Sequence, residues 1–188
     1  MTSDQLCLIA IGANMPSRVG PPDLTVAAAM RALAEGFARI DAVSRYYSTP
    51  AFPPGSGPDF VNAAAAIRMP GDAEAVLAAL HAIEAEFGRA RAVRWGQRTL
   101  DLDLIAVGDA VLPDAGTQEY WRMLDPAAQR HCTPDQLILP HPRMQDRAFV
   151  LVPLAEIAPQ WRHPVLRSTV QQMCDALPVP DVESVRPL

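Results

Sequence analysis

The sequence contains no lysine, and all 16 of its basic residues are arginine. This absence excludes mechanisms that need a lysine amine, such as a P-loop nucleotide site, a kinase-type strand lysine or a Schiff base. Cysteine is also scarce, and Cys7, Cys132 and Cys174 stand too far apart for a Cys-x-x-Cys motif. The sequence therefore indicates neither a zinc site nor a disulfide framework.

Long apolar runs are missing as well. No stretch of about 18 apolar residues occurs, and the first residues do not show the basic and then apolar pattern of a signal peptide. We therefore expect a soluble, cytoplasmic protein that does not bind membranes. The net charge of −5 argues against a nucleic-acid binder, because such proteins need a basic surface. Any anion site must be a local cluster of arginines.

The length and composition favour one globular domain, since 49% of the 188 residues are hydrophobic. We expect a single monomeric domain over residues 1–177, with a long insertion at about 112–136 and a flexible, Pro-rich tail over 178–188. Apolar periodicity predicts strands at 5–11, 38–47, 60–69 and 100–107 and helices at 24–33, 72–87, 146–157 and 168–177.

The first six of these elements follow the order β-α-β-β-α-β. This order is typical of the ferredoxin-like α+β fold, an antiparallel sheet with helices packed on one face. The elements after residue 107 predict a C-terminal helical and strand extension of that core. No internal repeat and no long linker divides the chain.

Two acidic residues at the start of the fourth predicted strand form a candidate metal site. Side chains alternate along a strand, so Asp101 and Asp103 share one face while Leu102 and Leu104 occupy the other. Their Cα atoms should lie about 6.6 Å apart, at roughly 3.3 Å rise per residue. Carboxylates at this spacing suit Mg²⁺ ions. The alternative is a pair of solvated acids on an edge strand.

An arginine-rich segment directly precedes this strand. Arg89, Arg91, Arg94 and Arg98 surround Trp95 within a predicted loop. Guanidinium groups recognise phosphates through paired hydrogen bonds, and an indole offers a flat face to a ring. The plainer alternative is a solvated basic loop, with Trp95 anchoring it to the core. The position beside two carboxylates favours a metal–polyphosphate site.

Two further clusters carry candidate binding residues. Phe60 and Asn62 share one face of the third predicted strand and together suit a flat heterocycle, although a core phenylalanine and a locally paired amide fit equally well. His141 lies between two prolines and is followed by Arg147 at a predicted helix start, where both could face anionic oxygens. A lone histidine is more often structural.

Several segments resemble the 6-hydroxymethyl-7,8-dihydropterin pyrophosphokinase family of folate biosynthesis. They are AIGAN at 10–14, YSTP at 47–50, PDFVNAA at 58–64, RWGQRTLDLD at 94–103 and LPHPRM at 139–144, with continuing matches at 147–149 and 153–159. The resemblance implies an ATP-dependent diphosphokinase that moves the β,γ-diphosphate of ATP onto the pterin hydroxymethyl group and releases AMP.

The resemblance also implies residue roles. Arg89 and Arg98 would clamp the phosphates, and Asp101 and Asp103 would bind two Mg²⁺ ions, which makes these four the catalytic set. The implied ATP contacts are Glu84, Arg91, Trp95, Arg98, His141 and Arg147. The implied pterin contacts are Thr49, Pro50, Phe52, Phe60, Asn62, Asp101 and Phe149.

The chain also departs from the family pattern. Gln97 replaces a proline, His81 a glutamine and Pro142 an aromatic residue found in some members. The segment from about 112 to 136 is longer than is usual, and a lid over ATP, a dimer contact and an ornament all stay open for it.

Two other functions fit parts of the pattern. A phosphatase could use Asp101 of an Asp-x-Asp motif as a nucleophile, but it would need a supporting lysine, which the chain lacks. A non-catalytic ferredoxin-like domain that binds a nucleotide or metabolite would show binding without turnover.

Overall fold

The computed structural model describes residues 4–36, 38–51, 55, 57–88, 99–125, 128 and 132–188. The strands are β1 (Gln5–Ala13), β2 (Arg39–Val43), β3 (Tyr47–Thr49), β4 (Phe60–Met69), β5 (Asp101–Val107) and β6 (Arg186–Pro187). The helices are α1 (Pro22–Gly36), α2 (Ala73–Glu86), α3 (Ala115–Met123), α4 (Ala148–Ile157), α5 (Val170–Asp175) and α6 (Val179–Glu183), and a 3₁₀ turn covers Met144–Asp146.

The strands form one antiparallel sheet in the order β5-β1-β4-β3-β6, and β2 also pairs with β4. The central strands β1 and β4 are the first and the last strand of the segment that precedes α2. Strand β5, which follows α2, pairs with β1 on the side away from β4. This arrangement confirms the predicted α+β, ferredoxin-like core.

Both faces of the sheet are covered. Ile9 and Ile11 of β1 pack with α1 and α2 in one apolar cluster, whereas Leu8 and Ala10 pack with α4 and α5 in a second one. A strand buried on both faces is apolar at every position rather than at alternate positions, which explains the continuous run at the start of the chain. The C-terminal extension therefore supplies the second helical layer.

The predicted strand at 38–47 is interrupted. Ser44 divides it into β2 and β3, because its hydroxyl oxygen accepts a hydrogen bond from the Ala64 amide at 2.9 Å in place of a backbone carbonyl. The Ser44 amide still donates to the Ala64 carbonyl at 3.0 Å. The chain can therefore change direction here without leaving β4.

Helix α2 begins and ends where its capping residues predict. The Asp72 carboxylate accepts a hydrogen bond from the Ala75 amide, and Gly88 follows the helix with a φ of +80°. The helix predicted at 146–157 instead begins at Ala148, since the preceding residues form the 3₁₀ turn.

The tail after residue 177 is not the frayed segment that its prolines suggested. It forms α6 and β6, and β6 pairs with β3. Val185 is buried, and the Leu188 amide donates to the Tyr46 carbonyl at 2.9 Å. These contacts lie more than 100 positions apart in sequence, so local composition could not reveal them. Among the helices of the described ranges, none is long and apolar enough to cross a bilayer.

Candidate active site

The two acids of β5 share one face of the sheet, as their alternation predicts. Leu102 and Leu104 point into the cluster with α1 and α2, so Asp101 and Asp103 face the opposite side. Both carboxylates are half-buried. They lie opposite Gly12 and Ala10 of β1.

A positive charge faces the second acid. Arg147, the residue before α4, places Nη1 3.7 Å from Oδ2 of Asp103. Its guanidinium carbon also lies 5.6 Å from the ring centroid of Phe149, which is 39% exposed. The guanidinium is thus held between a carboxylate and an aromatic face, and its ion pair leaves further donors for another anion.

His141 is fixed by its backbone and by one ring nitrogen. Its amide donates to the Ile105 carbonyl on β5 at 2.8 Å, and its Nδ1 accepts from the Arg143 amide at 3.1 Å. Burial, followed by the charges of Arg147 and Arg143, lowers the pKa of His141 from 6.5 to about 3, although Asp101 opposes the shift. The imidazole is therefore neutral near pH 7, and since Nδ1 accepts, its proton lies on Nε2.

These groups line a cavity of about 480 Å³. Its wall includes Asp103, His141, Arg143 and Arg147 from β5 and the segment that leads to α4. Such a volume lies within the range of small-ligand sites, roughly 300–1,000 Å³. The remaining lining residues are Leu77, His81, Leu102, Leu104, Trp121, Cys132, Pro134, Asp135, Gln136, Leu137, Ile138 and Pro142.

A buried polar pair lies on β3 and β4, which are separated from β5 by β1. The Asn62 amide nitrogen donates to the Thr49 hydroxyl at 2.6 Å, and both residues are buried. Thr49 lies opposite Phe60 in the β3–β4 pairing. Thr49, Phe60 and Asn62, which the resemblance placed in one pocket, are therefore close together, and exposed Pro50 follows directly on Thr49.

Gly12 joins the two halves of the site. On one side it pairs with Asp101 of β5, and on the other side it pairs with Asn62 of β4. Residues directly opposite each other in a sheet point to the same face, so the carboxylate and the amide flank one glycine. A Cβ at Gly12 would lie only 3.0 Å from Oδ1 of Asn62. The missing side chain thus lets the Asn62 amide lie close against the backbone of β1.

Glu84 is buried against β5. The side chain is 1% exposed, and Oε1 accepts a hydrogen bond from the Leu102 amide at 2.8 Å. The Glu84 carboxylate therefore binds the backbone of β5 at Leu102, between the two acids. The nucleotide contact that the resemblance implies for Glu84 stays a prediction.

Three residues of this site were missed in the sequence. Gly12 gives a signal, because a glycine inside an apolar strand often marks a close approach. Arg143 and Trp121 give none beyond their residue types. Five expected site residues lie outside the described residues: Phe52, Arg89, Arg91, Trp95 and Arg98.

The described geometry has the parts of a phosphoryl-transfer site. Asp103, a guanidinium and a neutral imidazole line one cavity. Asp101 shares the face of β5 with Asp103, and a buried amide lies beyond β1. The fold and the site thus define an enzyme class that handles a polyphosphate.

The chain belongs to the family described as 7,8-dihydro-6-hydroxymethylpterin-pyrophosphokinase, which matches residues 8–159. This confirms the family resemblance. The family's enzymes transfer a diphosphate group from ATP to hydroxymethyldihydropterin in folate biosynthesis, and this chain is an enzyme of that kind.

Two bacterial relatives share one name. The chain is 37% identical over 182 residues to 2-amino-4-hydroxy-6-hydroxymethyldihydropteridine pyrophosphokinase of Synechocystis, covering 96% of this chain and 80% of the relative. It is 31% identical over 171 residues to the enzyme of that name from Haemophilus influenzae, covering 89% and 92%.

The fold is similar to that of wild-type HPPK-DHPS from Plasmodium falciparum, with a TM-score of 0.63 at 12% identity. The match covers 93% of this chain but only 45% of that one. At this identity the likeness concerns the fold alone.

Proposed function

We propose that the chain transfers the intact β,γ-diphosphate of ATP to the hydroxymethyl oxygen of 6-hydroxymethyl-7,8-dihydropterin, with Asp101 and Asp103 holding two Mg²⁺ ions. The observation that carries this proposal is the register of β1. Gly12 sets Asp101 beside Asn62, while Asp103, two residues on, faces Arg147. The two acids thus lie between a cationic cavity and a buried amide.

The donor set fits magnesium. Only two carboxylates share this face of β5, and within the described ranges no group of three His, Cys, Asp or Glu side chains could form a full metal cage. Mg²⁺ commonly takes one or two protein carboxylates and completes its shell with water and phosphate oxygens. When bound, it would neutralise charge on the phosphates and polarise the phosphorus that is attacked.

The cavity residues would hold the nucleotide. The guanidinium of Arg147 has donors beyond those facing Asp103, and Nε2–H of the neutral His141 is a donor for an anionic oxygen. Fixed donors of this kind stabilise charge without reorganising during the reaction. Further nucleotide contacts are proposed for Arg89, Arg91, Arg98 and Trp95.

The pterin would lie on the Asn62 side. Its ring edge carries both donors and acceptors, which one amide held by Thr49 can match. Phe60, Phe149, Phe52 and Pro50 are proposed to cover the ring faces. The alcohol then lies near Asp101, the described carboxylate closest in register to Asn62.

The transfer balances as an in-line displacement. The alcohol oxygen forms a bond to the β-phosphorus, the bond from that phosphorus to the bridging oxygen of the α-phosphate breaks, and AMP leaves with the electron pair. The alcohol loses one proton, for which Asp101 is the proposed first acceptor. Positioning and charge neutralisation carry such reactions without a covalent enzyme intermediate.

We propose that the enzyme acts as a cytoplasmic monomer on these two small molecules. The net charge of −5 argues against a nucleic-acid partner, because such a partner requires a basic surface.

One assay tests the proposal against its alternatives. The purified chain, mixed with ATP, the hydroxymethyl pterin and Mg²⁺, should release AMP and pterin diphosphate in equal amounts and no ADP. A chelator should stop the reaction and added Mg²⁺ should restore it. Binding of ATP without AMP would instead support a non-catalytic domain, and inorganic phosphate with a phosphorylated aspartate would support a phosphatase.

The close contact between Gly12 and Asn62 allows a test of the pterin side. Gly12→Ala adds a methyl group 3.0 Å from Oδ1 of Asn62 and should disturb its bond to Thr49. A disturbed buried hydrogen bond costs about 1–3 kcal/mol, so we expect KM for the pterin to rise roughly 10-fold. KM for ATP should stay unchanged.

Gly36→Ala is the matched control, since a Cβ at Gly36 meets nothing within 4 Å. It should leave both KM values at the wild-type level. An unchanged KM for the pterin in Gly12→Ala would remove Asn62 from the pterin site.

A further inference from the structure

Helix α3, which lies within the predicted insertion at 112–136, supplies an aromatic wall to the 480 Å³ cavity. That wall is Trp121 of α3, which lines the cavity together with His81 of α2 and the charged residues at Asp103 and Arg147. An insertion that reaches the cavity is placed to change what the cavity binds.

Helix α3 is tied to the segment that carries the cations. Gln118 is fully buried, and its side-chain nitrogen donates to the Pro140 carbonyl at 3.2 Å, directly before His141. Leu112 and Leu139 exchange two backbone hydrogen bonds, at 2.9 and 3.1 Å. This segment is therefore hydrogen-bonded at two points to Leu139 and Pro140, which directly precede His141 of the cavity.

The helix itself is well defined at its start. The Asp114 carboxylate accepts from both the amide and the hydroxyl of Thr117, at 2.9 and 2.8 Å. At the other end Tyr120 meets Trp121 edge to face, with ring centroids 5.7 Å apart. The cap fixes the start of the helix, and the contact with Tyr120 limits the orientations open to the indole, so the wall is preorganised.

The lining of the cavity has two chemical characters. Asp103, Arg143 and Arg147 suit phosphates and their counter-ions, whereas Trp121, Leu77 and Ile138 offer apolar and aromatic surface. ATP has the same division, between a charged triphosphate and a flat base. An indole is the side chain best suited to cover such a base.

We propose that Trp121 is a specificity-determining residue that stacks on the adenine of ATP, so that this insertion extends the nucleotide site. The inference rests on the proposed function. It assigns the segment a part in nucleotide selection and leaves the transfer itself to the residues of β5 and α4.

The test compares Trp121→Ala with Trp121→Phe in steady-state AMP release. Loss of one base–aromatic stack corresponds to a loss of affinity of about 5- to 150-fold, and we expect KM for ATP to rise about 10-fold in Trp121→Ala. The values of kcat and KM for the pterin should stay within twofold of wild type. Trp121→Phe should return KM for ATP to within about threefold.

Nucleotide preference supplies a second measurement. A purine stacks over more area than a pyrimidine, so the ratio of kcat/KM for ATP over UTP should fall in Trp121→Ala and recover in Trp121→Phe. Met123→Ala is the control, because Met123 lies on the same helix but is 68% exposed. It should behave as wild type.

An unchanged KM for ATP in Trp121→Ala would overturn the inference. So would a Phe variant as impaired as the Ala variant, an unchanged ATP-to-UTP ratio, or a parallel loss of kcat and of pterin affinity. These results are distinct from failure of the proposed function, in which the wild-type chain itself releases no AMP.

Discussion

Asp101→Asn should abolish AMP formation, with kcat falling by at least about 10³-fold. The substitution keeps the size of the side chain but removes the charge that a cation needs, and charge stabilisation by a metal amounts to several kcal/mol in the transition state. Asp103→Asn should have a similar effect. The measurement is AMP release at saturating ATP and pterin, with the melting temperature recorded for each variant.

Asp109→Asn is the matched control for both substitutions. Asp109 is exposed in the turn after β5, at the end of the strand away from Asp101. This variant should keep wild-type kcat. If Asp101→Asn or Asp103→Asn retained more than a tenth of wild-type activity, the metal role of that carboxylate would be wrong.

Arg147→Ala should lower kcat/KM for ATP by about 10³-fold. Removing an arginine that stabilises a transferring phosphoryl group costs about 10³–10⁵ in related enzymes, and we expect the lower end because Arg143 also lines the cavity. Arg147→Lys should recover part of the loss, since an amine keeps the charge but not the planar fork. Kinetics at varied ATP and fixed, saturating pterin give both values.

Arg31→Ala provides the comparison. Arg31 is exposed on α1, which packs on the opposite face of the sheet from α4. Its loss should leave kcat/KM for ATP unchanged. A wild-type kcat/KM in Arg147→Ala would show that the guanidinium serves Asp103 alone and does not contact the nucleotide.

The elements with local signals were predictable. Strand β4 has the predicted bounds, Phe60–Met69, because an apolar β-prone run ends at a Pro-Gly turn. The bounds of α2 follow from Asp72 and Gly88. The interruption at Ser44 was not predictable, since it depends on a hydrogen bond to Ala64, 20 residues away.

In the candidate site, too, some features were predictable from local sequence and others were not. Alternation alone placed Asp101 and Asp103 on one face. Their relation to Asn62 needed the register of β1 with both neighbours, which a sequence does not show. The burial of Glu84 likewise depends on its bond to the Leu102 amide, 18 residues on.

The insertion shows a further limit. Its length and composition left a lid, a dimer contact and an ornament equally open, because nothing local ties it to a particular place. The buried bond from Gln118 to Pro140 supplies that place. This internal polar contact, which composition does not reveal, holds α3 beside the segment that leads to His141, and Trp121 of α3 lines the cavity.

The short strand β6 has a practical consequence for handling this protein. It covers the outer side of β3, and Thr49 stands at the end of β3. Deleting the residues from 185 onward would convert β3 into an open edge, which invites association with other chains. An affinity tag attached after Leu188 would lie one strand from the proposed pterin pocket, so cleavable tags are preferable at that terminus.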